Sequence, residues 1–148
     1  MPKTLWNSAA RQELIERLDR LRPDSVAKWG QFTAPKMLAH VTGWMKMATG
    51  ELTAANRYSV LRRKPVRYLA IHVLPFPKGV PTAPELLRGD TPDWEAGVAE
   101  LKRYLQEFEN NHRGAGFPEH PAFGHLSSRS WGVLGYRHTD HHFRQFGV

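Results

Sequence analysis

Trp94, Val98, Leu101, Leu105 and Phe108 recur at spacings of four, three, four and three. A chain can gather such residues on one side only by winding into an α-helix, which turns once every ~3.6 residues. Thr91, Pro92 and Asp93 supply its start: a cap, a proline for the first helical position and an acid at the positive end of the dipole. Gly114 closes it, so the spacing predicts a helix over 92–112. Leu14, Ile15, Leu18 and Leu21 repeat the pattern after Asn7 and Ser8 and before Pro23, predicting a helix over 8–21. Met37, Leu38, Val41, Trp44, Met45 and Ala48 do so between Thr33 and Gly50, predicting a helix over 33–49. Ser127 opens a last helix, 127–146, on which Trp131, Leu134, His138, His142 and Gln145 share a face. A shorter helix is expected after Pro65, through Val66, Leu69, Ala70, Val73 and Leu74 to Pro75. Pro75, Pro77, Pro81 and Pro84 then stiffen an extended loop. No stretch alternates apolar and polar residues, so no sheet is expected. The expected fold is one all-α domain over 1–148: an antiparallel four-helix bundle with an extra short helix and a long proline-rich loop.

The 148 residues suffice to bury a core, and 41% hydrophobic content with five tryptophans argues for a folded globule. Having no cysteine removes disulfides, thiolate ligands and a cysteine nucleophile. No apolar run approaches a membrane span of ~18 residues, and the first six residues lack a signal-peptide core. A soluble cytoplasmic protein is the expectation, with no membrane partner.

The net charge is +7, and its excess is local. From 52 to 84 there is no acid, while Arg57, Arg62, Arg63, Lys64, Arg67 and Lys78 all fall there. Such a patch is either a solvated face or a receiver of anions, with Arg62, Arg63 and Arg67 as candidate substrate-binding residues. The stretch carries no RNA-binding aromatic motif or zinc-finger spacing, and no nucleic-acid partner is expected.

His138 and His142 are four residues apart, about one helical turn, so both imidazoles reach a common point. They continue the stripe of Trp131 and Leu134, and burying two imidazoles without partners is costly. Either a metal or ordinary hydrogen bonds would offset that cost. His40, at the edge of the second helix's apolar arc, is the candidate third ligand; three nitrogens with open positions form a catalytic rather than a closed structural site. His141 is the rival ligand. His120, held extended by Pro121, is a candidate acid/base or a loop anchor. His72, His112 and His125 carry no spacing argument.

One histidine on the second helix and His-x-x-x-His with a glutamine three residues later on the last resembles the DinB/YfiT-like superfamily. The ending His142-Phe143-Arg144-Gln145 is similar to its usual His-Arg-Gly-Gln. Trp29-Gly30, Pro77-Lys78-Gly79-Val80-Pro81-Thr82, His120-Pro121-Ala122-Phe123-Gly124, Trp131-Gly132 and Asp140-His141-His142 resemble one uncharacterised branch of it. The resemblance implies a four-helix bundle holding a divalent metal on His40, His138 and His142. Its members include thiol-dependent transferases and a maleylpyruvate isomerase.

The expected function is therefore a divalent-metal-dependent enzyme, a thiol-dependent transferase or hydrolase-like. The alternative is a metal-binding helical bundle without catalysis. Zinc or nickel is the expected ion, and iron or copper also suits three imidazoles. The ion would activate a water or a substrate thiol, and the expected partner is a small molecule such as an anionic low-molecular-weight thiol. Gln145 and Asp140 are candidates to orient the ligands, Asp140 being better placed on the helical wheel for an exposed or inter-helix role. A homodimer is compatible with the chain.

Overall fold

The computed structural model describes residues 1–79, 82–87 and 93–148. Among the described residues five α-helices run in the order α1 (Ser8–Leu18), α2 (Ala34–Thr49), α3 (Lys64–His72), α4 (Trp94–His112) and α5 (Ser128–Gln145). Short 3-10 turns occupy Val60–Arg62 and Pro84–Leu87, and no strand is present among the described residues.

Each long helix starts on a side chain that accepts an otherwise unpaired amide. Asn7 takes Ala10 N–H at 3.1 Å, Thr33 takes Lys36 N–H at 3.3 Å, and Ser127 takes Ser130 N–H at 3.1 Å. Thr91 and Pro92, expected to open α4, lie outside the described residues; Asp93 caps the helix by accepting from Glu95 N–H at 3.2 Å. α1 ends at Leu18, earlier than expected, because Arg20 and Leu21 bond back three residues, to Arg17 and Leu18, and tighten the chain into a turn. Leu21 nevertheless stays buried.

α4 packs on α1 and α2, and α5 packs on the same two, so the four long helices close a ring. Its centre holds Leu14, Leu18, Met37, Leu38, Met45, Leu101, Leu105, Phe108, Trp131 and Phe143, all essentially without solvent exposure. Gly135 lets two elements approach α5: a Cβ there would stand 2.6 Å from Leu5 and 2.7 Å from Trp44.

Among the α-helices of the described residues, α3 leans on α5 alone. Ile71 is its buried residue, whereas Leu69, Val73 and Leu74 of the expected stripe are exposed. Arg137 of α5 holds its C-terminal end, donating to the carbonyls of Ala70, Ile71 and Leu74. No helix among the described residues is long and apolar enough to cross a membrane.

Candidate metal centre

α2 and α5 lie side by side, and their facing stripes bring His40, His138 and His142 together. One nitrogen from each ring lies within 4.8 Å of the other two. His40 Nε2 is 2.9 Å from His138 Nε2, and the three ring centres stand 4.6 to 4.8 Å apart. His40, expected at a rim, is 3% exposed and His142 8%.

The surroundings are apolar. Phe32 covers His40 and His142 at ring separations of 5.3 and 5.7 Å, and Trp44 stacks on His138 at 5.7 Å. Burial, then the neighbouring imidazoles His142 and His141, brings His40 down to about 3. Burial also lowers His142 to about 4, against its bond to Gln145, and holds His138 well below the ordinary histidine range. All three rings are thus neutral at physiological pH, the protonation state a metal ligand requires.

Gln145 fixes one ring completely. Its Nε2 donates to the Trp29 carbonyl at 2.9 Å, which leaves its Oε1 to face His142 Nδ1 at 2.8 Å. An amide oxygen only accepts, so Nδ1 carries the proton and the Nε2 lone pair of His142 is free. Gly30 makes the contact possible: it sits at φ +78, and a Cβ there would come 2.7 Å from Gln145 Nε2. By contrast Nδ1 of His40 and of His138 are buried without a hydrogen-bond partner of good geometry among the described residues, a backbone contact to Leu86 only opposing the fall in the His40 pKa. If His40 and His138 only bonded each other, one Nε2 would donate and the other accept. One Nδ1 would then be a buried free donor and the other a buried free acceptor. A cation accepting both Nε2 lone pairs would leave each Nδ1 protonated, and its coordination to three nitrogens would offset the burial of the rings as a whole; the donor set fits a divalent ion preferring nitrogen.

The remaining expected residues separate into other roles. Asp140 points to α1, where Arg17 Nη1 binds it at 2.7 Å, and it also meets Arg144 at 3.0 Å. It locks helices together and does not orient the ligands. Arg144, standing at the glycine of the usual ending, is exposed and forms this intrahelical pair. His120 Nδ1 accepts the amides of Ala122 and Phe123 at 3.1 and 3.3 Å, and its backbone pairs with Gly124, so it closes its own loop. Burial, then Arg62, lowers it to about 4. Arg62 binds Glu119 at 2.5 Å and the Pro121 carbonyl at 3.0 Å. Arg67 donates to the carbonyls of Phe123 and His125 at 3.1 and 2.9 Å, while Arg63 is exposed. His72 meets Ser130 Oγ at 3.2 Å, and buried His112 stacks on Phe117 at 4.1 Å. Exposed His125 stands 3.8 Å from Glu119.

His141 does not join the tripod but borders it. Its ring lies 5.2 Å from that of His142, between Trp29 at 5.7 Å and Phe76 at 5.8 Å. Burial lowers its basicity; Asp140 opposes and Lys78 reinforces that shift. Phe32, Phe76 and the Trp29–Gln145 bridge escaped sequence reasoning because they sit in connectors without periodicity. Only the Trp29-Gly30 phrase hinted at them.

No curated protein and no solved structure matches the chain. The family model described as a protein of unknown function (DUF1569) does match, over residues 6–147, and the chain belongs to that family.

Proposed function

We propose that this protein is a divalent-metal-dependent enzyme on an antiparallel four-helix bundle of the DinB/YfiT-like kind, with His40, His138 and His142 holding the ion. The closed ring of α1, α4, α2 and α5, with α3 outside it, supports the bundle reading. One observation carries the site: three neutral imidazoles from two helices converge, and one is already oriented with its lone pair free. Zinc or nickel is the favoured ion.

When bound, a divalent ion supplies Lewis acidity and lowers the pKa of a thiol or water brought to it. The chain's own residues do the rest. Gln145 holds the His142 tautomer, Phe32 and Trp44 exclude water around the imidazoles, and the small-molecule substrate enters past the rim formed by His141. The chain has no cysteine, so a nucleophilic thiol comes with the substrate. The reaction class we favour is thiol transfer to an electrophile, with hydrolysis as its relative.

Elemental analysis of the purified protein tests the ion. Turnover of an electrophile with a panel of thiols then separates an enzyme from a bundle that binds metal without chemistry. A metal-free protein that takes up neither zinc nor nickel stoichiometrically overturns the reading.

A further inference from the structure

The basic stretch that distinguishes the sequence is not uniformly available. Arg62 and Arg67 donate to the loop around His120. Lys78 is different. It is exposed, pairs with no carboxylate among the described residues, and holds its Nζ 4.3 Å from the centre of the Trp29 ring. Trp29 is the residue whose carbonyl anchors Gln145, and its ring meets His141, which in turn meets His142. Pro77 before it and Gly79 at φ +76 after it turn the chain so that Lys78 reaches this face. A lysine lying on an indole keeps two or more N–H donors free for an anion while the ring retains its charge near one place.

We propose that Lys78, with the Trp29 ring and His141 beside it, forms an anion subsite at the rim of the metal centre, and that the substrate is a small organic molecule carrying a carboxylate at one end. This rests on the metal-centre reading above. The His142, His141 and Trp29 rings follow one another at 5.2 and 5.7 Å, so a ligand whose reactive end meets the imidazoles and whose carboxylate meets Lys78 runs along these rings on an apolar body. The aromatic faces of Phe76 and Trp29 suit such a body. The carboxylate accepts hydrogen bonds from Lys78 Nζ, and the other end faces the three imidazoles.

The test uses cobalt(II)-loaded protein titrated with 6-mercaptohexanoate and with its neutral amide, following the thiolate-to-cobalt absorption band. Wild-type protein should bind the carboxylate form more tightly. Lys78→Gln should weaken that form about tenfold and leave the amide unchanged, and Lys78→Arg should restore most of the difference. Cobalt content, measured separately, should be equal in all three proteins. Equal affinity for the two ligands in wild type, or a preference that survives Lys78→Gln, overturns the subsite while leaving the metal centre standing. Cobalt bound without a thiolate band for either ligand also overturns it. Failure of wild-type protein to take up cobalt overturns the metal centre and the subsite with it.

Discussion

Nε2 of His40 lies 2.9 Å from Nε2 of His138, although 98 positions separate them in the chain. Two buried imidazoles facing at that distance share either a proton or an ion, and the convergence of His142 on the same point favours the ion.

Replacing His40, His138 or His142 by Ala should lower metal occupancy at least about tenfold, since two imidazoles hold a labile ion poorly. His72→Ala, His112→Ala and His141→Ala should retain it. Elemental analysis after equilibration with one equivalent of zinc reads the difference. Full occupancy in any of the first three proteins contradicts the tripod.

Gln145→Leu removes the acceptor that holds His142 in its Nδ1–H tautomer. Metal affinity, measured by chelator competition, should fall about 10- to 100-fold with the fold intact. Gln145→Glu keeps an acceptor toward His142 and should lose less. Equal affinities for the two variants would assign Gln145 a packing role only.

Gly30→Ala and Gly114→Ala both place a side chain at positive φ, but only the first meets a neighbour, Gln145. Denaturant midpoints should show Gly30→Ala to be about 1 kcal/mol more destabilising, the increment coming from overlap with the glutamine. Metal affinity should drop in Gly30→Ala alone.

The buried imidazoles make metal-free protein acid-sensitive. His120 titrates near 6.5 in an unfolded chain and about 4 in the folded one, so the unfolded state binds the proton first as pH falls. Its contribution is complete above about pH 6.5 and declines toward pH 4, by roughly 1.4 kcal/mol per pH unit for each such group. Urea unfolding between pH 7 and pH 4.5 should show that decline, and His120→Asn should make it shallower while leaving zinc binding at pH 7 intact.

Arg62→Ala should lower stability by on the order of 1 kcal/mol by releasing Glu119 and the Pro121 carbonyl. Thermal denaturation measures it, and faster proteolysis within 119–125 should accompany it. A variant as stable as wild type would show that this loop is held from elsewhere.

The helices were legible because capping and periodicity act within a few residues. Asn7, Thr33 and Ser127 cap as their types require, Asp93 takes the capping place expected of Thr91, and the stripe of α4 buries Leu101, Leu105 and Phe108 as spaced. The short helix was legible as a helix but not in its packing. Arg137 ties its end to α5, so Ile71 is buried and Leu69, Val73 and Leu74 face solvent.

By itself the sequence determined that His138 and His142 share a face, because one turn of α-helix spans the four residues between them whatever surrounds it. Which third imidazole joins them was decided by tertiary structure. His40 does so through the packing of α2 against α5, while His120 turns inward on the amides of its own loop. Tertiary structure likewise divided the basic stretch, giving Arg62 and Arg67 to carbonyls and a carboxylate and leaving Lys78 over Trp29. The reason is range. Backbone propensity acts between near neighbours in sequence, whereas a hydrogen bond forms with whichever donor and acceptor folding brings within about 3 Å, and connectors carry no period that announces the pairing.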